Sequence, residues 1–178
     1  RIDPSVSNIV DVYMLERTYD NLFRVWLQDG GVKPVASTSD QLRISYSGTL
    51  NPLKSLSDQI IYHPVKYRIL FGSNADEELQ ATFKVVKNTK TNVTDAVIKT
   101  RVIAAINEFF ALDNWDFGDS FYYTELAAYV HNQLAPDLLT AVIVPNQSGQ
   151  TFGSLFQINS AADEIFISGA TVDDVSII

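Results

Sequence analysis

The sequence contains no cysteine. Disulfides, thiolate nucleophiles and cysteine-based zinc sites are therefore excluded. Histidine is almost as scarce. The two copies, His63 and His131, lie far apart and in no metal-ligand spacing. Basic residues are in deficit, with 13 Lys and Arg against 21 Asp and Glu and a formal net charge of −8. No basic stripe is present, so nucleic acid is not an expected partner. An acidic body favours solubility and a basic or mixed protein partner. No apolar run approaches the roughly 18 residues that a membrane-crossing helix needs. No signal-peptide pattern opens the chain, and no membrane partner is expected. Internal repeats and low-complexity tracts are also lacking.

What remains is ordinary globular material. Of the 178 residues 46% are hydrophobic and 19% charged, enough to bury a core without staples. The chain starts at Arg1 and stops on "DDVSII". It is expected to be an internal fragment of a larger multidomain chain.

Periodicity predicts the elements. "NIVDVYML" reads as a strand. A helix follows, with Tyr19, Leu22, Phe23, Trp26 and Leu27 at helical spacing and Gly30-Gly31 as its stop. "VKPVASTS" is a loop. A further helix is expected from about Asp40, interrupted near Gly48 and Pro52. "QIIYHPVKYRILFG" is extended, with Pro64 at an edge or bulge. It is expected to pair, through "GSNADEE", with a strand that turns Leu79, Ala81, Phe83 and Val85 to one face. The clearest helix spans about residues 93–112. Asn92 and Thr94 are its candidate caps, and its apolar stripe runs through Ile98, Val102, Ala105, Ile106, Phe109 and Leu112. A second spans about 124–134, with Thr124 as N-cap, Pro136 after its end, and Leu126, Tyr129, Val130 and Leu134 on its apolar face. The tail is extended again, with "FGSLFQI" and "DEIFISG" read as a hairpin. Strands and helices fall in segregated groups, which predicts an α+β fold of small mixed sheets with packed helices. Two parts are expected: residues 1–60, a strand–helix segment, and residues 61–178, the main α+β domain.

Between the two predicted helices lies an aromatic and acidic stretch, "AINEFFALDNWDFGDSFYYTELAAYVHNQL". Its carboxylates Asp113, Asp116, Asp119 and Glu125 raise the question of a metal loop. A calcium loop starting at Asp113 would put Trp115, Phe117 and Thr124 where oxygen ligands belong, so the pattern fails. "DFG" at Asp116–Gly118 matches the magnesium triplet of protein kinases, but no glycine-rich loop or catalytic His-Arg-Asp accompanies it. Ser154 has no histidine in a supporting position, and there is no nucleophile elbow or P-loop. The glycosylation sequons at Asn92 and Asn146 read as chance matches. The stretch is therefore expected to be a packing corner. Trp115 and Phe117 would plug the gap between the helices beside Phe109, Gly118 would permit a sharp turn, and Asp119 or Thr124 would cap the second helix. Tyr122, Tyr123, Phe152 and Phe156 are the candidate interface aromatics.

Read together, the two helices, the Trp115–Gly118 turn and the following "AVIVP" resemble the core of the baseplate J-like family. The phrases "NIVDVYML", "IIYHPVKYRILFG", "TRVIAAINEFF" and "FGSLFQINSAADEIFIS" are similar to baseplate wedge proteins of contractile-tailed bacteriophages, from about Asn8 to the C-terminus. The resemblance implies a virion structural protein, not an enzyme. Such a protein joins wedges into a ring, with itself and other wedge proteins as partners and no cofactor or metal. The other readings are a non-enzymatic adaptor of unrelated α+β type and a hydrolase whose triad is assembled from distant segments.

Overall fold

The computed structural model describes residues 9–50, 52, 59–146 and 157–178. The fold is α+β, and the chain divides into two compact units, Arg1–Lys66 and Tyr67–Ile178. The division falls beyond residue 60 because the second strand, β2 (Gln59–Pro64), pairs with the first, β1 (Ile9–Met14).

In the first unit β1 and β2 run parallel, Ile9 opposite Gln59 through Met14 opposite Pro64. A parallel pair needs a crossover of a dozen or more residues. The helices α1 (Arg17–Asp29) and α2 (Ser39–Leu50) supply it. Phe23 and Leu27 form the buried side of α1, and the helix stops at Gly30, whose N–H bonds to the Trp26 carbonyl. Glu16, at the start of α1, accepts hydrogen bonds from the Ser37 hydroxyl and, at 3.1 Å, from the Tyr46 hydroxyl. One carboxylate thereby ties α1 to the loop and to α2. The N-terminus of α2 is held by a reciprocal pair: Thr38 N–H donates to the Gln41 side chain and Gln41 N–H to Thr38 Oγ1. α2 runs through Gly48 to Leu50 without the expected interruption there, since one glycine inside a helix costs only about 1 kcal/mol. Leu42, Ile60 and Tyr62 make a small core, with Val12, Met14, Tyr46 and Leu50 against it.

The second unit is built around β4 (Ala81–Lys87). Its alternation buries Ala81, Phe83 and Val85 and leaves Lys84 outside. It is central in a three-stranded sheet, antiparallel to β6 (Leu138–Pro145) and parallel to β9 (Val175–Ile177). The expected hairpin with β3 (Lys66–Leu70) does not form, since β3 pairs with β8 (Glu164–Ser168). The reason is local. Phe71 and Gly72 leave β3 with φ of 65° and 70°, and one turn of 3-10 helix at Glu77–Leu79 redirects the chain. Gly72 packs directly on the Gly169 backbone, where a Cβ would lie 1.9 Å from the Gly169 carbonyl oxygen. Of the second expected hairpin, Phe152–Phe156 lie outside the described residues, and the described part does not pair as expected. β7 (Gln157–Asn159) pairs with β5 (Ser120–Tyr122), while β8 goes to β3. The tail "ATVDDVSII" forms a 3-10 turn, closed by Thr171 and Asp174, and then β9.

α3 (Asp95–Phe109) and α4 (Tyr123–Leu134) cover these sheets. Thr94 caps α3 by accepting from Val97 N–H, while Asn92 is exposed. Of the predicted stripe, Ile98, Val102, Ala105 and Ile106 are buried, joined by Ile103, while Phe109 is half-buried. α3 ends at Phe109, short of the expected 112, and Leu112 falls in the 3-10 turn that follows. Phe71, Phe83, Phe110, Phe121 and Phe166 are fully buried at the centre, with ring centroids 4.9–6.2 Å apart in edge and tilted contacts. Each such side chain contributes about 1.5–3 kcal/mol on burial.

Candidate functional site

α3 ends in carbonyls that its own helix cannot satisfy. Two side chains of the next turn do so. Asn114 Nδ2 donates to the Glu108 carbonyl at 2.9 Å, and Trp115 Nε1 donates to the Phe109 carbonyl at 2.8 Å. The Trp115 ring is thereby fixed. It stacks on Phe110 at 5.4 Å and meets Phe166 edge-on at 5.2 Å. Trp115, half-buried, packs against the core, as does Phe109. Phe117 is half-buried too but lies outside that core cluster, so it does not plug the gap between the helices. Gly118 takes φ of 74°, and its N–H bonds to the Glu164 carbonyl at 3.3 Å. The left-handed turn is made there, as its sequence position implied.

Two carboxylates of the turn have structural partners. Asp119 Oδ2 accepts Asp116 N–H at 2.7 Å, and Asp116 Oδ1 accepts Phe117 N–H at 2.8 Å. Neither Asp119 nor Thr124 caps α4. The strand β5 intervenes, and Tyr122 stands at the N-cap position without a side-chain cap. The corner is thus helix, 3-10 turn, strand, helix, and not two helices joined by a turn. Tyr123 is buried in the core, and that burial pushes its hydroxyl far above the usual range. Tyr123 is only 4% exposed. Tyr122 is half-buried on β5, and Phe152 and Phe156 lie outside the described residues.

Beside this corner opens a groove of about 490 Å³, lined by Phe109, Asn114, Trp115, Asp119, Ser120, Glu125 and Tyr129. Partial burial, and then the Glu108 charge, push the Tyr129 hydroxyl above its ordinary value, while a hydrogen bond with Gln133 works against them. A second, smaller groove of about 190 Å³ lies between α4 and β6, lined by Tyr123, Thr124, Ala127, Ala141, Val142 and Ile143.

The histidines stay apart. His63 Nε2 lies 2.8 Å from Asp11 Oδ1 and its ring stacks on Tyr13, across β1 and β2. His131 is half-buried in the last turn of α4. Asn146 accepts the Thr82 hydroxyl at 2.8 Å. Among the described residues no three His, Asp or Glu side chains gather to hold a metal ion, and no helix is long and apolar enough to cross a membrane.

The sequence reading missed the groove, because its walls come from α3, β5 and α4 together. One signal did point to it. All 13 Lys and Arg lie at or before Arg101, and residues 102–178 carry ten Asp and Glu and no Lys or Arg. No protein-family model and no curated protein matches this chain.

Proposed function

We propose that the chain is a non-enzymatic structural component of a phage tail baseplate, forming wedges and joining them into a ring by protein–protein contacts. Its place would then be the virion, after assembly in the host cytoplasm. The baseplate assignment rests on the resemblance of the long sequence phrases above. The observation that carries an assembly role is the strand β6.

β6 lies at one edge of its sheet and carries no charged residue over its eight positions, "LLTAVIVP". Edge strands of soluble proteins are usually blunted by charge, proline or a bulge. Here the pairing with β4 skips Leu139, and Pro145 ends the strand. The stretch between, Thr140–Val144, keeps its outer backbone groups unpaired among the described residues. Leu139 and Val142 remain 56% and 51% exposed. Such an edge, with the apolar α4–β6 groove beside it, suits a partner strand.

Light scattering over a concentration series tests the reading. A mass rising reversibly above 19.8 kDa, and held down by Leu139→Lys with Val142→Lys, supports it. A mass fixed at 19.8 kDa at all concentrations contradicts it and favours a monomeric adaptor.

A further inference from the structure

We infer that the groove walled by Phe109, Trp115 and Tyr129 receives a basic side chain, arginine in the first place, from a segment of a partner protein. The inference rests on the assembly reading and names the chemistry of one partner.

The groove's shape comes first. About 490 Å³ is ample for an arginine side chain and its flanking backbone. Three aromatic residues line it, and a guanidinium packs on aromatic rings while keeping its donors free for oxygen. The oxygens are present: the Glu125 and Asp119 carboxylates, the Ser120 hydroxyl and the Asn114 side chain. Asp119 and Ser120 are held in place by Asp116 N–H and Asn159. The walls are therefore pre-set, which reduces the ordering cost of binding.

Charge decides between occupants. None of the carboxylates from Glu108 to Glu125 forms an ion pair with Lys or Arg among the described residues. Some acids elsewhere do have a cation, as in Lys87–Asp95 and Arg101–Asp137 at 2.8 and 2.7 Å. Past Arg101 the chain has no Lys or Arg of its own to offer. An acidic or purely apolar segment would leave Glu125 and Asp119 uncompensated on docking, which is costly. A basic one supplies the missing charge.

The test is an NMR titration of the whole chain. The probes are a short Ala/Ser peptide with a central arginine pair and the same peptide with citrulline. The chain has two Trp, so Trp26→Phe assigns the Trp115 indole signal. The expected result is a saturable shift of the Trp115 indole and of the Ser120 and Glu125 amides with the arginine peptide and none with citrulline. Glu125→Gln should weaken binding about fivefold, the effect of one solvent-facing carboxylate. Equal shifts with citrulline overturn the inference. So do unsaturable shifts spread over the acidic surface, or the same shifts produced by calcium chloride alone. Repeating the titration with Leu139→Lys/Val142→Lys separates the two proposals. Loss of self-association through β6 leaves peptide binding intact, and failure of peptide binding leaves self-association intact.

Discussion

The indole N–H of Trp115 donates to the backbone carbonyl of Phe109 at 2.8 Å, while the two rings meet at 62° with centroids 5.6 Å apart. One side chain therefore both terminates α3 and closes the aromatic core. Trp115→Ala should destabilise the protein by roughly 3–5 kcal/mol. Trp115→Phe keeps ring packing and loses the hydrogen bond, so it should cost about 1–2 kcal/mol. Denaturant melts of both variants check this. Unchanged stability in both variants would contradict the packing role.

Two glycines should respond in opposite senses to alanine. At Gly72 the backbone is left-handed and a Cβ would strike the Gly169 carbonyl. Gly72→Ala should cost more than about 2 kcal/mol. Gly48 lies inside α2 with open space around it. Gly48→Ala should gain about 0.5–1 kcal/mol from helix propensity. Thermal melts of the pair read the contrast directly.

Asp137 gives the protein an acid-side weakness. Its carboxylate accepts the Thr91 hydroxyl at 2.6 Å and the Arg101 guanidinium at 2.7 Å, and these bonds hold its pKa below the ordinary 3.8. A depressed carboxylate contributes stability that is complete above its unfolded value and is lost as pH falls through the folded one. Stability should therefore drop below about pH 4. Asp137→Asn should flatten that part of the pH profile while lowering stability at neutral pH. Urea midpoints measured across the acid range test both effects.

Tyr123 works in the other direction. Burial raises its pKa, so the neutral phenol is favoured in the folded state. The contribution is complete below the unfolded value of 10.0 and is lost as pH rises beyond it. Absorbance at alkaline pH should show this tyrosine ionising only together with unfolding.

Local pattern carried much of the fold. The strip Ile98–Val102–Ala105–Ile106 and the alternation Ala81–Phe83–Val85 were legible because burial imposes a period on one element at a time. Gly118 was legible because a left-handed turn needs it. Strand pairing was not. Nothing in "GSNADEE" announces that Phe71 and Gly72 turn left-handed and send β4 into another sheet. The cap of α4 was misplaced at Thr124 because the three-residue strand β5 has no periodic signature. Tyr123 read as a candidate contact because sequence alone cannot tell which of two adjacent tyrosines faces the core. The groove was hidden for the same reason: it exists only once three elements meet.

The most direct test of the assembly role is amide hydrogen exchange along β6 in dilute and concentrated solution. If the edge joins copies of this chain, the outward amides between Thr140 and Val144 slow as concentration rises, while β4 and β9 stay unchanged. Equal exchange along β6 at both concentrations contradicts the account.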